Sequence, residues 1–586
     1  MGRPGKSTRG SARPVRLTRN ALLVTKLPAW RSRFMLGLVA IAFVALGLRA
    51  FWLQVWSNDF LQAQGKSRYE RTLEIPANRG RIVDRNGAML ATSLPAKAVW
   101  ADPDDVQAPR DKLVTLAKLL QMEQRELDRR LAEEKNYVYL RRQVEADVAA
   151  RVAELKIPGV HQRNEFKRHY PEGETVAHVV GFTNVEDAGQ EGFELAQQQR
   201  LSGKPGSRRV IKDNLGRVIE QIGSGREPQD GADLALSIDM RVQFLAFNAL
   251  RDAIREHRAK AGAAIVVDVR TGEVIALANW PTYDPNQRGQ LTGAQLRNRA
   301  ITDTFEPGST MKAFSVAMAL ESGRFRPASM IDTSPGRMTI GSATIGDAHR
   351  YGVLSVEEVL QKSSNVGTVK MALTLPPQKM WEHFTSLGFG QAPQIGFPGA
   401  VAGRVRPHKT WKPIEQATMS YGHGISVSLM QMARAYTVFA RDGELIPVTM
   451  LRADGPAQGV RVFRPETAQS VLKMLEMAAG PKGTAPLAQI PGYRVGGKTG
   501  TAHKQEGGTY QNKYIASFVG LAPVSAPRIV VAVMVDEPSA GKYYGGQVAA
   551  PVFARIAGET LRAMRVAPDA PFSTLIVPAD PVKESL

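Results

Sequence analysis

Ser309 and Lys312 stand three residues apart in Glu306-Pro307-Gly308-Ser309-Thr310-Met311-Lys312, a spacing that puts both side chains on one face of a helix. A serine hydroxyl is a poor nucleophile until a neighbouring base takes its proton, and a lysine desolvated beside another cation can be that base. Pro307 and Gly308 mark a turn, and the apolar run 313–320 predicts a buried helix closed near Gly323. The free N–H groups of a helix start suit an oxygen that becomes negative during acyl transfer. The chemistry on offer is a covalent acyl-enzyme on Ser309.

The tetrad is not enough alone, because Ser-x-x-Lys recurs at Ser470–Lys473, in an amphipathic helix, and at Ser539–Lys542, in a Gly-rich loop. Ser309 differs in being followed, in order, by Ser363-Ser364-Asn365 and Lys498-Thr499-Gly500-Thr501, the chain's single Ser-x-Asn and single Lys-Thr-Gly. A competing reading uses the same residues: Gly492 to Thr499 fits Gly-x4-Gly-Lys-Thr, and 530–537 is an apolar run ending in Asp536-Glu537. A phosphate-binding loop needs a strand before it and a helix after it. Residues 485–491 make a weak strand and 500–508 no helix, so the nucleotide reading lacks its context. His423, in Tyr421-Gly422-His423-Gly424, is read as a loop or packing residue, since a lone histidine is no triad.

The elements that must hold these motifs come from both ends of the region after residue 233. Residues 235–238 read as a strand and 240–257 as an amphipathic helix with Val242, Leu245, Ala246, Ala249 and Leu250 inward. Runs 263–268 and 274–278 flank Arg270-Thr271-Gly272 as a hairpin of central, buried strands. Strands 514–521 and 529–535 come late, and a helix over 550–565 closes the region. This implies an α+β domain, one antiparallel sheet built from both ends with a helical insert that carries Ser309. Before it, 57–232 alternates short β-rich runs with polar helical ones and reads as a spacer or docking domain. Residues 79–83 enter an Asn86-Gly87 turn and return at 88–91 as a hairpin. Residues 113–152 read as largely helical, their charges forming a solvated face.

The formal net charge of +21 suggests nucleic acid until it is located. Residues 1–33 carry nine Lys/Arg and no acid, leaving +12 for the other 553 residues, and basic clusters with stacking aromatics are not evident. No nucleic-acid partner is expected. The apolar run 34–56, interrupted by Arg49, would be about 35 Å long as a helix, enough for a hydrocarbon core of about 30 Å. Trp52 and Trp56 suit the far interface, and the basic residues before the run hold the N-terminus in the cytoplasm. A cleaved signal peptide shares these features, but no small-x-small cleavage site follows, so an uncleaved anchor with an exported remainder is the reading taken. There is no cysteine and no His-Glu-x-x-His among nine scattered histidines. That excludes disulfides and thiolate chemistry, suits a periplasm, and gives no expectation of a metal or other cofactor.

Ser-x-x-Lys, Ser-x-Asn and Lys-Thr-Gly in this order are the signature of the penicillin-binding and serine β-lactamase active site. From the apolar run nearly to its end, the chain resembles the class B penicillin-binding proteins. The resemblance extends to Arg79-Gly80-Arg81-Ile82-Val83-Asp84-Arg85-Asn86-Gly87, Gly192-Phe193-Glu194, Lys212-Asp213-Asn214-Leu215-Gly216-Arg217, Asn512-Lys513-Tyr514-Ile515-Ala516 and Gly541-Lys542-Tyr543-Tyr544-Gly545-Gly546. The last two point to the septal, cell-division subgroup. The resemblance implies a basic cytoplasmic tail over 1–33, a transmembrane anchor over 34–56 and an elongated β-rich pedestal, dimerisation-like, over 57–232. A transpeptidase domain over 233–570, its antiparallel sheet sandwiched by helices beside a helical subdomain, and a tail over 571–586 complete it. It implies that Ser309 attacks the bond between the terminal D-alanines of a peptidoglycan stem peptide while Lys312 takes its proton. Ser363 would relay a proton to the leaving D-alanine, and Asn365 would orient Lys312 and bind a substrate amide. Lys498, Thr499 and Thr501 would hold the terminal carboxylate, Gly500 would let the substrate lie along the strand, and the N–H groups of Ser309 and Thr501 would form the oxyanion hole. β-Lactams would acylate Ser309, and a membrane glycan polymerase and other divisome proteins would be partners at the inner membrane. Alternatives on the same residues are an elongation-type transpeptidase, a carboxypeptidase or β-lactamase-like hydrolase, and a division scaffold with vestigial motifs.

Overall fold

The computed structural model describes residues 28–56, 70–135, 137–212, 218–221, 225–572 and 583–584. The basic stretch 1–27, most of the Lys212–Arg217 motif and most of 571–586 lie outside the described residues. The chain divides into two compact units, residues 1–75 with 206–227, and residues 76–205 with 228–586.

In the first unit, helix α1 (Ala29–Phe51) continues as a π-helical turn over Trp52–Trp56. Residues 29–55 are long and apolar enough to cross a membrane. The Arg49 guanidinium lies 4.7 Å from the centre of the Trp52 ring, where a membrane-interface pair would sit. The strands Glu70–Ile75, Gly206–Lys212 and Val218–Gln221 form an antiparallel sheet.

In the second unit, β1 (Ile82–Val83) turns through Asn86-Gly87 into β2 (Met89–Ala101), with Ile82 opposite Ala91 and Gly87 at φ +91°. That is the hairpin expected from the Asn-Gly pair. Asp84 accepts the N–H groups of Asn86 (2.8 Å) and Ala88 (2.7 Å). It also accepts the Met240 N–H at 3.1 Å, the first residue of α2 (Met240–Glu256). One carboxylate thus ties the hairpin to the helix that opens the sheet domain. Glu194 accepts Arg79 Nε at 2.5 Å and Arg168 Nε at 2.7 Å, all three side chains being buried. Buried charges persist only when paired in this way, which accounts for two of the quoted motifs, at Arg79 and at Glu194, meeting in space.

The reading of 113–152 as largely helical is corrected. Helices Arg110–Leu119, Gln124–Leu131 and Ala146–Glu154 are interrupted by β3 (Val138–Glu145), which pairs with β2, as does β4 (Val160–His169). Val138 and Leu140 alternate inward at a two-residue period, and pairing with β2 overrides the helical propensity of the charges around them.

The strand β5 (Leu234–Ala235) pairs in parallel with β1, shorter than the 235–238 expected. The central sheet contains β6 (Ala261–Asp268), β7 (Val274–Trp280), β8 (Gly496–Glu506), β9 (Thr509–Ala522) and β10 (Ile529–Asp536) in the order β7-β6-β10-β9-β8, all antiparallel. Every residue of β6 and β10 is buried, because each face has its own core. Ala263, Ile265 and Val267 join a cluster with the α3 (Lys312–Glu321) side chains Phe314 and Val316. Ala264 and Val266 join another with Phe247 and Leu250 of α2 and Phe553 and Ile556 of the closing helix. The sheet assembled from both ends of the chain is therefore present. Its hairpin is not wholly central, since β7 is an edge. Val274–Ala278 stay buried because helices α2 and Arg299–Thr302 cover the two faces. In α2 four of the five expected inward residues are buried and Leu245 is half-buried.

Candidate active site

Gly308–Met311 forms a 3₁₀ turn that runs directly into α3, so Ser309 sits before the α-helix rather than in it. With three residues per turn, positions i and i+3 eclipse, which brings Ser309 and Lys312 to the same side. The turn is clamped from two directions. Tyr436 Oη, from α5 (Leu429–Ala440; α4 is Asn365–Ala372), donates to the Thr310 carbonyl at 2.8 Å, and the Gly308 N–H reaches the Gly422 carbonyl at 3.2 Å. Gly422 has φ +91°, and a Cβ there would lie 2.2 Å from the Gly308 carbonyl oxygen. Only glycine fits. Ser309 itself is 4% exposed.

Lys312 is fully buried. Its Nζ donates to the Ser363 carbonyl at 2.5 Å and to the Ser363 hydroxyl at 3.0 Å. Ser363 reaches this position with φ +60°, a left-handed conformation that costs a non-glycine residue on the order of 1 kcal/mol or more. Ser364 then caps α4, accepting the Gly367 N–H at 2.9 Å. Asp347 braces the same turn, accepting the Ser364 hydroxyl at 2.6 Å and the Val366 N–H at 3.0 Å. Asn365, buried at the head of α4, donates from Nδ2 to the Gly346 carbonyl at 3.0 Å.

The third motif lies on β8, the sheet's other edge, which packs on the Ser309 turn: a Cβ on Gly308 would be 3.3 Å from the Thr501 carbonyl oxygen. A Cβ on Gly500 would be 2.6 Å from the Pro307 carbonyl oxygen and 2.5 Å from Ser517 Oγ. Glycine is thus required at 500 by the protein's own packing of strand against turn. Lys498 Nζ, fully buried, donates to Thr499 Oγ1 at 3.2 Å and Thr484 Oγ1 at 3.4 Å. Thr501 Oγ1 accepts the N–H of Gly545, the first residue of helix Gly545–Ala563 (α7; α6 is Pro465–Ala479), at 2.9 Å.

The electrostatics follow from this packing. Burial holds the Lys312 amine well below the usual lysine value, and the Lys498 charge pushes the same way against Asp347 and Glu584. Burial brings Lys498 down to about 8, opposed by Glu584. Burial and the neighbouring charge thus favour the unprotonated amine at Lys312 beside a charged Lys498. Burial takes the His423 imidazole down to about 4, helped by Lys312 and His503. It lies edge-on to Tyr421, ring centres 5.1 Å apart, and 6.4 Å from the Tyr510 ring centre. Tyr510 Oη donates to Glu306, which also accepts the Gly424 N–H at 2.7 Å. Glu306, Arg404, Arg406, Ser426 and Tyr510 line a cleft of about 310 Å³ beside the Ser309 turn.

All eight residues singled out from the motifs are buried, on elements that touch one another. The other two Ser-x-x-Lys pairs fall on α6 and on the loop before α7, as expected. Residues 496–506, where a phosphate loop would need its helix, are strand. Asp347, Thr484, Tyr436 and Glu584 carried no motif signal. A lone Asp or Thr far along the chain becomes part of a site only by folding. Among the described residues no group of three or more His, Asp or Glu could hold a metal ion.

The penicillin binding protein transpeptidase domain matches residues 262–558, and the penicillin-binding protein dimerisation domain matches residues 74–236. Over 550 residues the chain is 43% identical to the peptidoglycan D,D-transpeptidase FtsI of Escherichia coli (strain K12), covering 92% of this chain and 93% of that protein. Over 553 residues it is 41% identical to the probable peptidoglycan D,D-transpeptidase PenA of Neisseria gonorrhoeae, covering 93% and 95%. Among solved structures it is similar to the apo TP domain of Burkholderia pseudomallei penicillin-binding protein 3, with TM-score 0.54, 52% identity, and 57% of this chain and 98% of that one covered. A peptidoglycan synthetase from Bifidobacterium adolescentis shares the fold, with TM-score 0.68 at 24% identity over 87% of this chain and 99% of that one.

Proposed function

The chain belongs to the penicillin-binding peptidoglycan D,D-transpeptidases, and from that membership we propose how its residues divide the work. Ser309 Oγ attacks the carbonyl between the two terminal D-alanines of a stem peptide, and Lys312 Nζ, as a neutral amine, receives the hydroxyl proton on its lone pair. The C–N bond breaks as a proton passes through Ser363 Oγ to the departing D-alanine amine. Asn365 contacts the substrate amide. Lys498, Thr499 and Thr501 hold the terminal carboxylate by charge-assisted hydrogen bonds, and the substrate backbone lies along the strand edge, where Gly500 lets the strand pack on the Ser309 turn. The N–H groups of Ser309 and Thr501 stabilise the oxyanion. The amine of a second stem peptide then attacks the ester, forming the crosslink and freeing Ser309. β-Lactams stop the cycle by acylating the same oxygen.

The observation that carries this reading is the Lys312 amine, bonded to Ser363 and depressed first by burial and then by the Lys498 charge. We further propose a single-pass inner-membrane protein, with residues 1–33 cytoplasmic, 34–56 spanning, 57–232 a periplasmic pedestal, 233–570 the catalytic domain and 571–586 a tail. It works at the division septum with a membrane glycan polymerase and other divisome proteins. Mass spectrometry of the protein treated with a β-lactam tests the site, with Ser309→Ala as control: the expected result is one adduct on Ser309, absent from the variant. Depletion in cells tests the role, filaments supporting septation and round cells opposing it.

A further inference from the structure

Glu584 is buried, at 5% exposure, against the active-site strand. Its Oε2 accepts the Thr501 hydroxyl at 2.8 Å, and its Oε1 accepts the Gly546 N–H at 2.7 Å in the first turn of the 19-residue helix α7. Burial pushes the Glu584 carboxyl above the usual carboxylate value, and the Lys498 charge opposes that shift. Two neutral donors, a helix N-terminus and a cation make up what a desolvated carboxylate requires. Among the described residues, the titratable groups whose ionisation Glu584 influences are Lys498, Lys312 and Tyr544.

Lys498, Thr499 and Thr501 are also the groups assigned above to the substrate's terminal carboxylate, and a β-lactam's carboxylate needs the same set. A second carboxylate cannot enter while Glu584 stands there, since two like charges in one buried site exclude each other. We propose that Glu584 is an intramolecular ligand of the carboxylate subsite, a pseudo-substrate that must leave before Ser309 is acylated. The proposal rests on the reading of Lys498, Thr499 and Thr501 as that subsite. Because Glu584 belongs to the same chain, its occupancy is independent of protein concentration. The apparent acylation rate falls in proportion to the fraction of molecules whose subsite is empty.

The test measures the second-order rate constant for labelling by a fluorescent penicillin. The full-length protein in detergent is compared with Glu584→Gln and with a chain ending after Phe572. Both variants are expected to label about threefold faster or more, the factor for a subsite that is two-thirds or more occupied. A synthetic peptide of residues 578–586 should slow the shortened chain again, and the same peptide with Gln in place of Glu584 should not. Equal rates in all three chains, with Ser309 labelled, overturn the proposal and leave the Ser309 assignment standing. Acceleration by shortening alone, with Glu584→Gln at the original rate, also overturns it, because the carboxylate is then not the ligand. No labelling of any chain sinks both readings together.

Discussion

Lys312 donates to the backbone carbonyl of Ser363 at 2.5 Å and to its hydroxyl at 3.0 Å, so the amine is fixed by one residue through two atoms. Ser363 offers both from a left-handed backbone, at φ +60°, with the following turn held by Asp347. The orientation of the base is thus decided some fifty positions away in the chain, and the following expectations test that arrangement.

Lys312→Met keeps the volume of the side chain and removes the proton acceptor. Penicillin acylation of Ser309 is expected to slow by about 10²–10⁴-fold, the usual worth of a positioned general base. The thermal midpoint should fall only modestly, since relief from burying an amine opposes the loss of its hydrogen bonds to the buried Ser363. Adduct formation against time, followed by mass spectrometry, checks the rate. Near-normal acylation would remove Lys312 from the mechanism.

Acylation should depend on pH through both lysines, with opposite signs. Lys312 must be neutral, so its contribution is present above its depressed pKa and is lost as pH falls through that value. Lys498 must be charged, so its contribution is present at lower pH and is lost as pH rises through about 8. A bell-shaped profile follows. Lys498→Arg, which cannot lose its charge, should remove or displace the alkaline limb. An alkaline limb unchanged in that variant would contradict the assignment.

Gly422→Ala puts a methyl group 2.2 Å from the Gly308 carbonyl oxygen in a residue at φ +91°. Overpacking and left-handed strain together are expected to cost about 2–5 kcal/mol. Because the clash is with the nucleophile turn, acylation should fall by more than the loss of folded protein explains. Circular-dichroism melts alongside acylation rates separate the two.

Glu194→Gln leaves the Arg79 and Arg168 guanidiniums buried with their shared countercharge gone. Breaking a buried ion network by removing one partner costs about 3–5 kcal/mol. Urea unfolding should show a lower midpoint, with the active site intact in the folded fraction. A midpoint within error of the wild type would mean that water reaches the pair.

The sequence by itself determined the motif pattern: a serine and a lysine three residues apart, two further motifs in fixed order, and strands whose apolar runs are continuous because both faces are covered. It also determined the apolar helix and the Asn86-Gly87 hairpin, because these are local patterns that a few neighbouring residues enforce. The strand at Val138–Glu145 was hidden among helix-forming charges, since its partners on β2, from Ala101 opposite Val138 to Ala96 opposite Glu145, are far away in the chain. The edge position of β7, the brace from Asp347 and the demand for glycine at 422 and 500 were hidden for the same reason. So was the burial of Glu584 beside Thr501. Each depends on which atoms stand within a few ångströms after folding, and contact across hundreds of residues is a property that only tertiary structure decides.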